Sequence, residues 1–297
     1  MTLPGGILTL APDLTITRMG YGTMQLPGPG VWGPPRDHDE AIAVLRAAVD
    51  AGITHLDTAD FYGLHVSNDL IREALAPYPD ELRIVTKVGA TRSGDGGTWN
   101  MDRTPEALVA QVHDNLTHLG VETLDVVNLR MGSPEAAVDE PLSDRIGALV
   151  ELQQQGKIRH IGLSQVTDAQ LTEALSITPI VTVQSLYNLV RRNDEPMLRR
   201  TAALGIAYVP YFPLGGFTPL QSGVLAAVAA RLEVTPQQVA LAWLLQRSPN
   251  IALIPGTSNR AHLAENIAAA ELELPADAVS ELDAIETLVE PPTAATH

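Results

Sequence analysis

Short apolar runs alternate with amphipathic helical segments along nearly the whole chain, and this alternation confines the fold to parallel α/β architecture. The spacing predicts eight strands, near residues 19–23, 53–57, 82–87, 123–130, 158–163, 180–185, 206–211 and 251–254, each followed by a helix. Local chemistry marks the helix ends. Asp37 and Glu40 read as a capping box ahead of Ile42, Leu45 and Val49, with Gly52 stopping that helix. Thr104-Pro105 opens a segment with Leu108, Val112, Leu116 and Leu119 on one stripe and Gly120 at its end. Thr235-Pro236 opens another, in which Trp243 reads as core.

Residues 7–10 and 14–17, split by Ala11-Pro12-Asp13, read as a hairpin ahead of the first barrel strand, and helical stretches at about 220–231 and 277–288 exceed an eight-fold count. A doubly wound open sheet is the rival architecture, but no GxGxxG follows the first strand. No polar, Pro- and Gly-rich linker divides the chain. The expectation is therefore one domain over residues 1–297, a (β/α)8 TIM barrel with an N-terminal β-hairpin and two extra helices, ending in a mobile tail from Pro291. The stretches 27–35 and 93–97 follow strands, where barrel enzymes keep their active-site loops.

Composition removes whole classes of function. With 297 residues, 45% of them apolar, the chain suits a globular fold with a substantial core. Lys and Arg total 19 against 35 Asp and Glu, a net charge of −16 that repels nucleic acid and anionic lipid. Without cysteine there are no disulfides, thiolate metal sites or cysteine nucleophiles. No basic leader precedes an apolar segment, and no run approaches the roughly 20 residues of a membrane span, so a cytoplasmic location is expected. The eight histidines form no ligand-spaced pair, and no metal is expected.

Three titratable residues converge on one rim of the predicted barrel. Asp57 ends the second strand, Tyr62 lies in the loop after it, and Lys87 ends the third. A phenol of pKa about 10 is a poor acid at neutral pH, and a neighbouring ammonium lowers that value; an aspartate would hold the lysine charged. Each residue also has a bland reading: Asp57 as a helix cap, Tyr62 as a core edge, Lys87 as a solvated charge. Lys87 could also be the Schiff-base lysine of an aldolase-type barrel. His55 shares the inward face of Asp57 and reads as a hydrogen-bonded interior residue. Trp32 and Trp99, in the first and third strand-following loops, are candidate walls of a flat apolar substrate pocket.

The segments Gly20-Tyr21-Gly22-Thr23, LDTADFYG (56–63), VTKVG (85–89), LDVVNLR (124–130), IRHIGLSQ (158–165), VQSLYN (183–188), YVPYFPLGG (208–216) and IPGTSNRAHLAENI (254–267) together resemble the aldo-keto reductases, over essentially the whole chain. GPGVWGPPRD (28–37), DVVNLRMG (125–132) and FPLGGFTPLQS (212–222) look like a bacterial subgroup that includes pyridoxal reductase. The resemblance implies a TIM-barrel enzyme that reduces small carbonyl compounds with NADPH, returning NADP+. Tyr62 matches the family's general acid, with Asp57 and Lys87 tuning it. Gly22 and Thr23 match a cofactor-facing turn. Ser164, with Gln165 in place of an asparagine, and Gln184 match the carboxamide contacts, and Tyr211 matches the ring stacked on the nicotinamide. Leu214 and Gly216 match the loop over the pyrophosphate, and Glu265 and Asn266 match adenine contacts.

Two departures stand out. Arg130 occupies the position of the family's catalytic histidine, and Asn128, two residues earlier on the same strand face, shares the pocket side. An arginine donates hydrogen bonds but stays cationic, which points to an altered substrate preference. The alternative is that Arg130 only pairs with Asp139 or Glu140. At the 2′-phosphate site Gly256, Thr257 and His262 replace a lysine, a serine and an arginine, leaving Arg260 and the helix amides near Asn259 to His262 to bind phosphate. A non-catalytic NADP-binding sensor or channel-associated subunit on the same fold is the competing function.

Overall fold

The computed structural model describes residues 3–93, 97–133, 137–216 and 222–288. β1 (Ile7–Ala11) and β2 (Leu14–Thr17) pair antiparallel. They are followed by β3 (Tyr21–Gly22), α1 (His38–Asp50), β4 (His55–Asp57), α2 (Val66–Leu75) and β5 (Arg83–Val88). A second antiparallel pair, β6 (Ala90–Arg92) and β7 (Trp99–Met101), precedes α3 (Pro105–Leu119), β8 (Leu124–Arg130), α4 (Ser143–Gln154) and β9 (Ile158–Ser164). The chain continues through α5 (Asp168–Ile177), β10 (Ile180–Leu186), α6 (Glu195–Leu204) and β11 (Ala207–Tyr211). Four further helices are α7 (Gly223–Leu232), α8 (Pro236–Arg247), α9 (Arg260–Ala268) and α10 (Ala276–Asp283).

Seven strands form one parallel sheet in the order β11-β10-β9-β8-β5-β4-β3. Both of its edges reach the segment 251–256: Tyr208 bridges Ile251, while Met19 and Gly22 bridge Leu253 and Gly256, all in parallel. The architecture is thus α/β and TIM-like, a curled parallel sheet with helices on its outer face. The run 251–254, expected as a regular strand, makes only these isolated bridges. Pro255 has no N–H to continue a ladder, and a β-carbon on Gly22 would meet the Ile254 carbonyl oxygen at 2.5 Å.

The interior of the sheet is layered. At its N-terminal end Val85, Val126, Val181, Val209, Ala252 and Ile254 pack against Leu14 and Ile16 of β2, so the hairpin plugs that end. Above this apolar floor lie His55, Asn128 and Thr182, and at the C-terminal rim Asp57, Lys87, Arg130, Ser164 and Gln184. Such layering follows from the period of two along each strand, which returns the same face every second residue. In β10 a register shift between Ile180 and Val183 lets both Val181 and Thr182 reach the interior. The larger core lies between sheet and helices and includes the α8 residues Leu241, Trp243 and Leu244.

Two of the three helix starts expected from local chemistry form in full, and the third forms in part. Thr104 accepts from the Ala107 amide, and Gly120 ends α3 in the left-handed region; Thr235 and Gln238 form a complete capping box. Asp37 accepts from the Glu40 amide, but the Glu40 side chain does not return the bond, because its carboxylate is held by Arg260. The expected helix at 277–288 stops at Asp283: Arg192 donates to the carbonyls of Asp283 and Ile285, and the Leu288 amide donates to Val190, which draws the chain away from helical geometry. α7 begins at Gly223, and the start of its expected range, like the tail from Pro291, lies outside the described residues. His55 is interior but not hydrogen-bonded as expected, since neither ring nitrogen has a partner among the described residues. Among them, no helix is long and apolar enough to cross a membrane.

Candidate active site

Asp57 ends β4 and Lys87 lies one residue from the end of β5, and the register between these strands sets their side chains on a common rim. Lys87 Nζ lies 2.5 Å from Asp57 Oδ1 and 2.9 Å from the Thr58 carbonyl oxygen. Gln184 Nε2 donates to the other Asp57 oxygen at 2.8 Å, so the carboxylate is held on both sides. Burial alone would discharge Lys87, but Asp57, backed by the Tyr62 phenol, outweighs it and raises the ammonium's pKa above its ordinary value. The same burial pushes His55, one layer below, down to about 4.

Tyr62 comes to this pair through its loop. Its amide donates to Ala59 and the Gly63 amide donates to Val31, and its ring packs edge-on against Phe61. Lys87 Nζ stands 5.1 Å from the centre of the Tyr62 ring. Asp57, Tyr62, Lys87 and Gln184 line a cavity of about 450 Å³, as do Arg130 and Tyr211. Gly22, Trp99, Leu214, Gly216 and Gly256 complete the predicted residues on its walls.

The remaining predicted residues fall into three groups. Ser164 and Gln165 are buried at the end of β9; Ser164 Oγ has no partner among the described residues, and Gln165 Oε1 accepts from the Tyr211 hydroxyl at 2.9 Å. Thr23 and Asn128 lie off the pocket wall. Thr23 Oγ1 donates to Thr58 Oγ1 at 3.0 Å, and Asn128 Oδ1 accepts from Thr182 at 2.6 Å. Asn128 is one layer too deep to line the cavity, packed beside Gly162, where any side chain would strike it. Trp32 is also off the wall; its ring covers Arg92 instead.

Arg130 is 8% exposed, and its Nε donates to the Gly132 carbonyl at 3.2 Å. Glu140, one of the acids that could have claimed it, is engaged by Arg103 and Arg145. At the far end, Thr257 Oγ1 accepts from the Asn259 amide, and Asn259 Oδ1 accepts from the amides of Ala261 and His262. The Arg260 amide, Nε and Nη2 all donate to Glu40. The helix amides expected to be open to a phosphate are therefore already engaged, and Arg260 is shared with Glu40. His262 and Glu265 are exposed there, and Asn266 is buried. Three contacts were not foreseen: the Gln184 bond to Asp57, the Thr58 carbonyl on Lys87, and the Glu40–Arg260 pair.

The model of the Aldo/keto reductase family matches residues 18–287. The chain belongs to that family. It is 56% identical to the pyridoxine 4-dehydrogenase of Escherichia coli (strain K12) over 273 residues, covering 91% of this chain and 95% of that protein. Among solved structures, a thermostable aldo-keto reductase in complex with the inhibitor epalrestat superimposes with a TM-score of 0.78 at 30% identity, covering 92% and 96% of the two chains. The glycerol dehydrogenase of Gluconobacter oxydans shares the fold with a TM-score of 0.82 at 21% identity, covering 99% and 100%.

Proposed function

We propose that this aldo/keto reductase uses NADPH to reduce an aldehyde to an alcohol, with pyridoxal as the leading substrate and Tyr62 as the proton donor. The observation that carries the reading is the convergence of Tyr62 with the 2.5 Å Asp57–Lys87 pair on one cavity wall. Substantial identity to a pyridoxine 4-dehydrogenase supports the choice of substrate. In this reading residues 251–256 act as the eighth strand of a single-domain (β/α)8 barrel, with the β1–β2 hairpin beneath it and α7 and α10 as its surplus helices.

The residues at the rim fit a nicotinamide. Ser164 Oγ, buried and without a partner among the described residues, suits its carboxamide, with Gln165 alongside and the Tyr211 ring, fixed by Gln165, against its face. Leu214 and Gly216 would cover the pyrophosphate, and Gly256, Thr257, Arg260, His262, Glu265 and Asn266 would meet the adenosine end. Bound nicotinamide supplies the hydride. The Tyr62 phenol donates its proton to the carbonyl oxygen as charge builds there, and Lys87 stabilises the phenolate left behind. Asp57, Thr58 and Gln184 hold Lys87 charged and in place. An ammonium so held lacks the neutral amine needed for carbonyl addition, which weighs against the Schiff-base reading. Arg130 faces the same cavity as a permanent cation able to bind the carbonyl oxygen and the ionised ring hydroxyl of pyridoxal together.

The test is NADPH oxidation with pyridoxal, benzaldehyde, a sugar and a ketosteroid, using the parent and Tyr62→Phe. General acid catalysis contributes about 10²- to 10⁴-fold, so the variant should lose at least about a hundredfold while still binding NADPH. Turnover within about tenfold of the parent would remove Tyr62 from this role.

A further inference from the structure

We infer that Arg92, a residue outside the reacting group, is the positioning residue for the aromatic wall of the substrate pocket, an inference that rests on the carbonyl-reductase reading above. Arg92 lies at the end of β6, directly opposite Trp99 of β7. Its guanidinium carbon is 4.4 Å from the Trp99 ring centre and 5.1 Å from that of Trp32, so two indoles flank it. It is 8% exposed and, among the described residues, pairs with no carboxylate. A guanidinium tolerates such burial when aromatic faces and carbonyl oxygens replace its water. Both replacements are present: Nη1 donates to the Val31 carbonyl at 3.1 Å and Nη2 to the Gly30 carbonyl at 3.2 Å.

The consequence is that one cation fastens the first strand-following loop to the β6–β7 hairpin. Gly97 shows how closely the parts fit, since a β-carbon there would lie 2.4 Å from Arg92 Nη2 and 2.7 Å from the Trp32 ring. On its other side Trp99 meets Phe61 edge-on at 5.3 Å, and Phe61 meets Tyr62 the same way. Trp99 is 41% exposed, and among the described residues the Arg92 stack and the Phe61 edge contact hold its ring at the cavity. Tyr62 is tethered independently of Arg92, because its amide donates to Ala59 and its carbonyl accepts from the Ser67 amide. Loss of Arg92 therefore loosens the wall and spares the proton donor, which separates KM from kcat.

The experiment compares Arg92→Met, which keeps the length and loses the charge and donors, with Arg92→Lys, which keeps the charge. For pyridoxal and benzaldehyde, Arg92→Met should raise KM by about tenfold or more with kcat within about threefold, while propanal, too small to need the wall, changes little. Arg92→Lys should recover part of the loss. NADPH affinity should not move in either variant. Acrylamide quenching of tryptophan emission should increase in Arg92→Met, since Trp243 is buried and the change reports on Trp32 and Trp99. A parent enzyme that reduces none of these aldehydes overturns the functional reading, and the quenching then decides the clamp by itself. Unchanged quenching, unchanged KM for the aromatic aldehydes, or an equal KM rise for propanal would overturn the inference.

Discussion

Asp57 and Lys87 meet at 2.5 Å with each side chain only 3% exposed, an ion pair withdrawn from water. Removing one partner from such a pair leaves the other charge buried and uncompensated, at a cost of about 3–5 kcal/mol. Asp57→Asn should therefore lower the melting temperature as well as turnover. The double variant Asp57→Asn with Lys87→Met should melt above Asp57→Asn alone, because no unpaired charge remains. Thermal melts of the three proteins check this, and a double variant less stable than the single one would refute it.

Arg130 offers a test of substrate choice. Arg130→His keeps a donor at the pocket but loses the permanent forked cation. Reduction of pyridoxal should weaken by about tenfold or more in kcat/KM, on the order of 1.4 kcal/mol, with a much smaller effect on benzaldehyde. Arg130→Met should impair both. Equal losses for the two aldehydes with histidine would assign Arg130 a general role in polarising the carbonyl.

The Glu40–Arg260 pair bears on nucleotide preference. The Glu40 carboxylate already occupies the donors that a 2′-phosphate would use, and Arg260 holds that carboxyl below its ordinary pKa. An acid in this position also suits a ribose hydroxyl better than a phosphate. Glu40 therefore narrows the preference for NADPH over NADH in the parent protein, and Glu40→Gln should tighten NADPH by about threefold to tenfold while leaving NADH within about twofold. Titration of nicotinamide fluorescence measures both affinities. An unchanged ratio would place the 2′-phosphate away from Arg260.

His55 gives stability a pH dependence of known sign. Burial depresses its folded-state pKa to about 4, whereas the unfolded chain takes up the proton near 6.5. Between these values the unfolded state holds more protons, so stability falls as pH drops through the window and is unaffected above it. The full effect is about 3 kcal/mol. Asp194, raised by burial to about 6, acts in the opposite direction, but it is common to the parent and His55→Gln, and the difference between the two isolates His55. From pH 7 to pH 4 the melting temperature of the parent should fall relative to that of His55→Gln; a constant offset would exclude the assigned shift.

The rim positions of Asp57 and Lys87 were legible because strand periodicity fixes which face and which end they occupy, whereas Arg130 was singled out by the resemblance. The threonine caps of α3 and α8 were legible for a similar reason, since each depends on residues three apart. What escaped depends on contacts between distant segments. Glu40 has the spacing of a capping box, yet Arg260, 220 residues away, takes its carboxylate. Nothing local to Gln184 announces that it braces Asp57, nor does the Gly-rich run after Arg92 reveal the β6–β7 hairpin around it. Asn128 has the right face but the wrong depth, a distinction set by the relative stagger of neighbouring strands.

The hairpin floor has a bearing on how the molecule comes together. Leu14 and Ile16 find their packing partners among side chains as far along as Ile254, so these two residues are synthesised well before the last of the partners that bury them. Their contacts bridge almost the full chain, and contacts of that sequence separation slow folding. An intermediate lacking the segment 251–256 would leave these two side chains exposed and the sheet edges open, a sticky species for which rapid final closure is the natural protection.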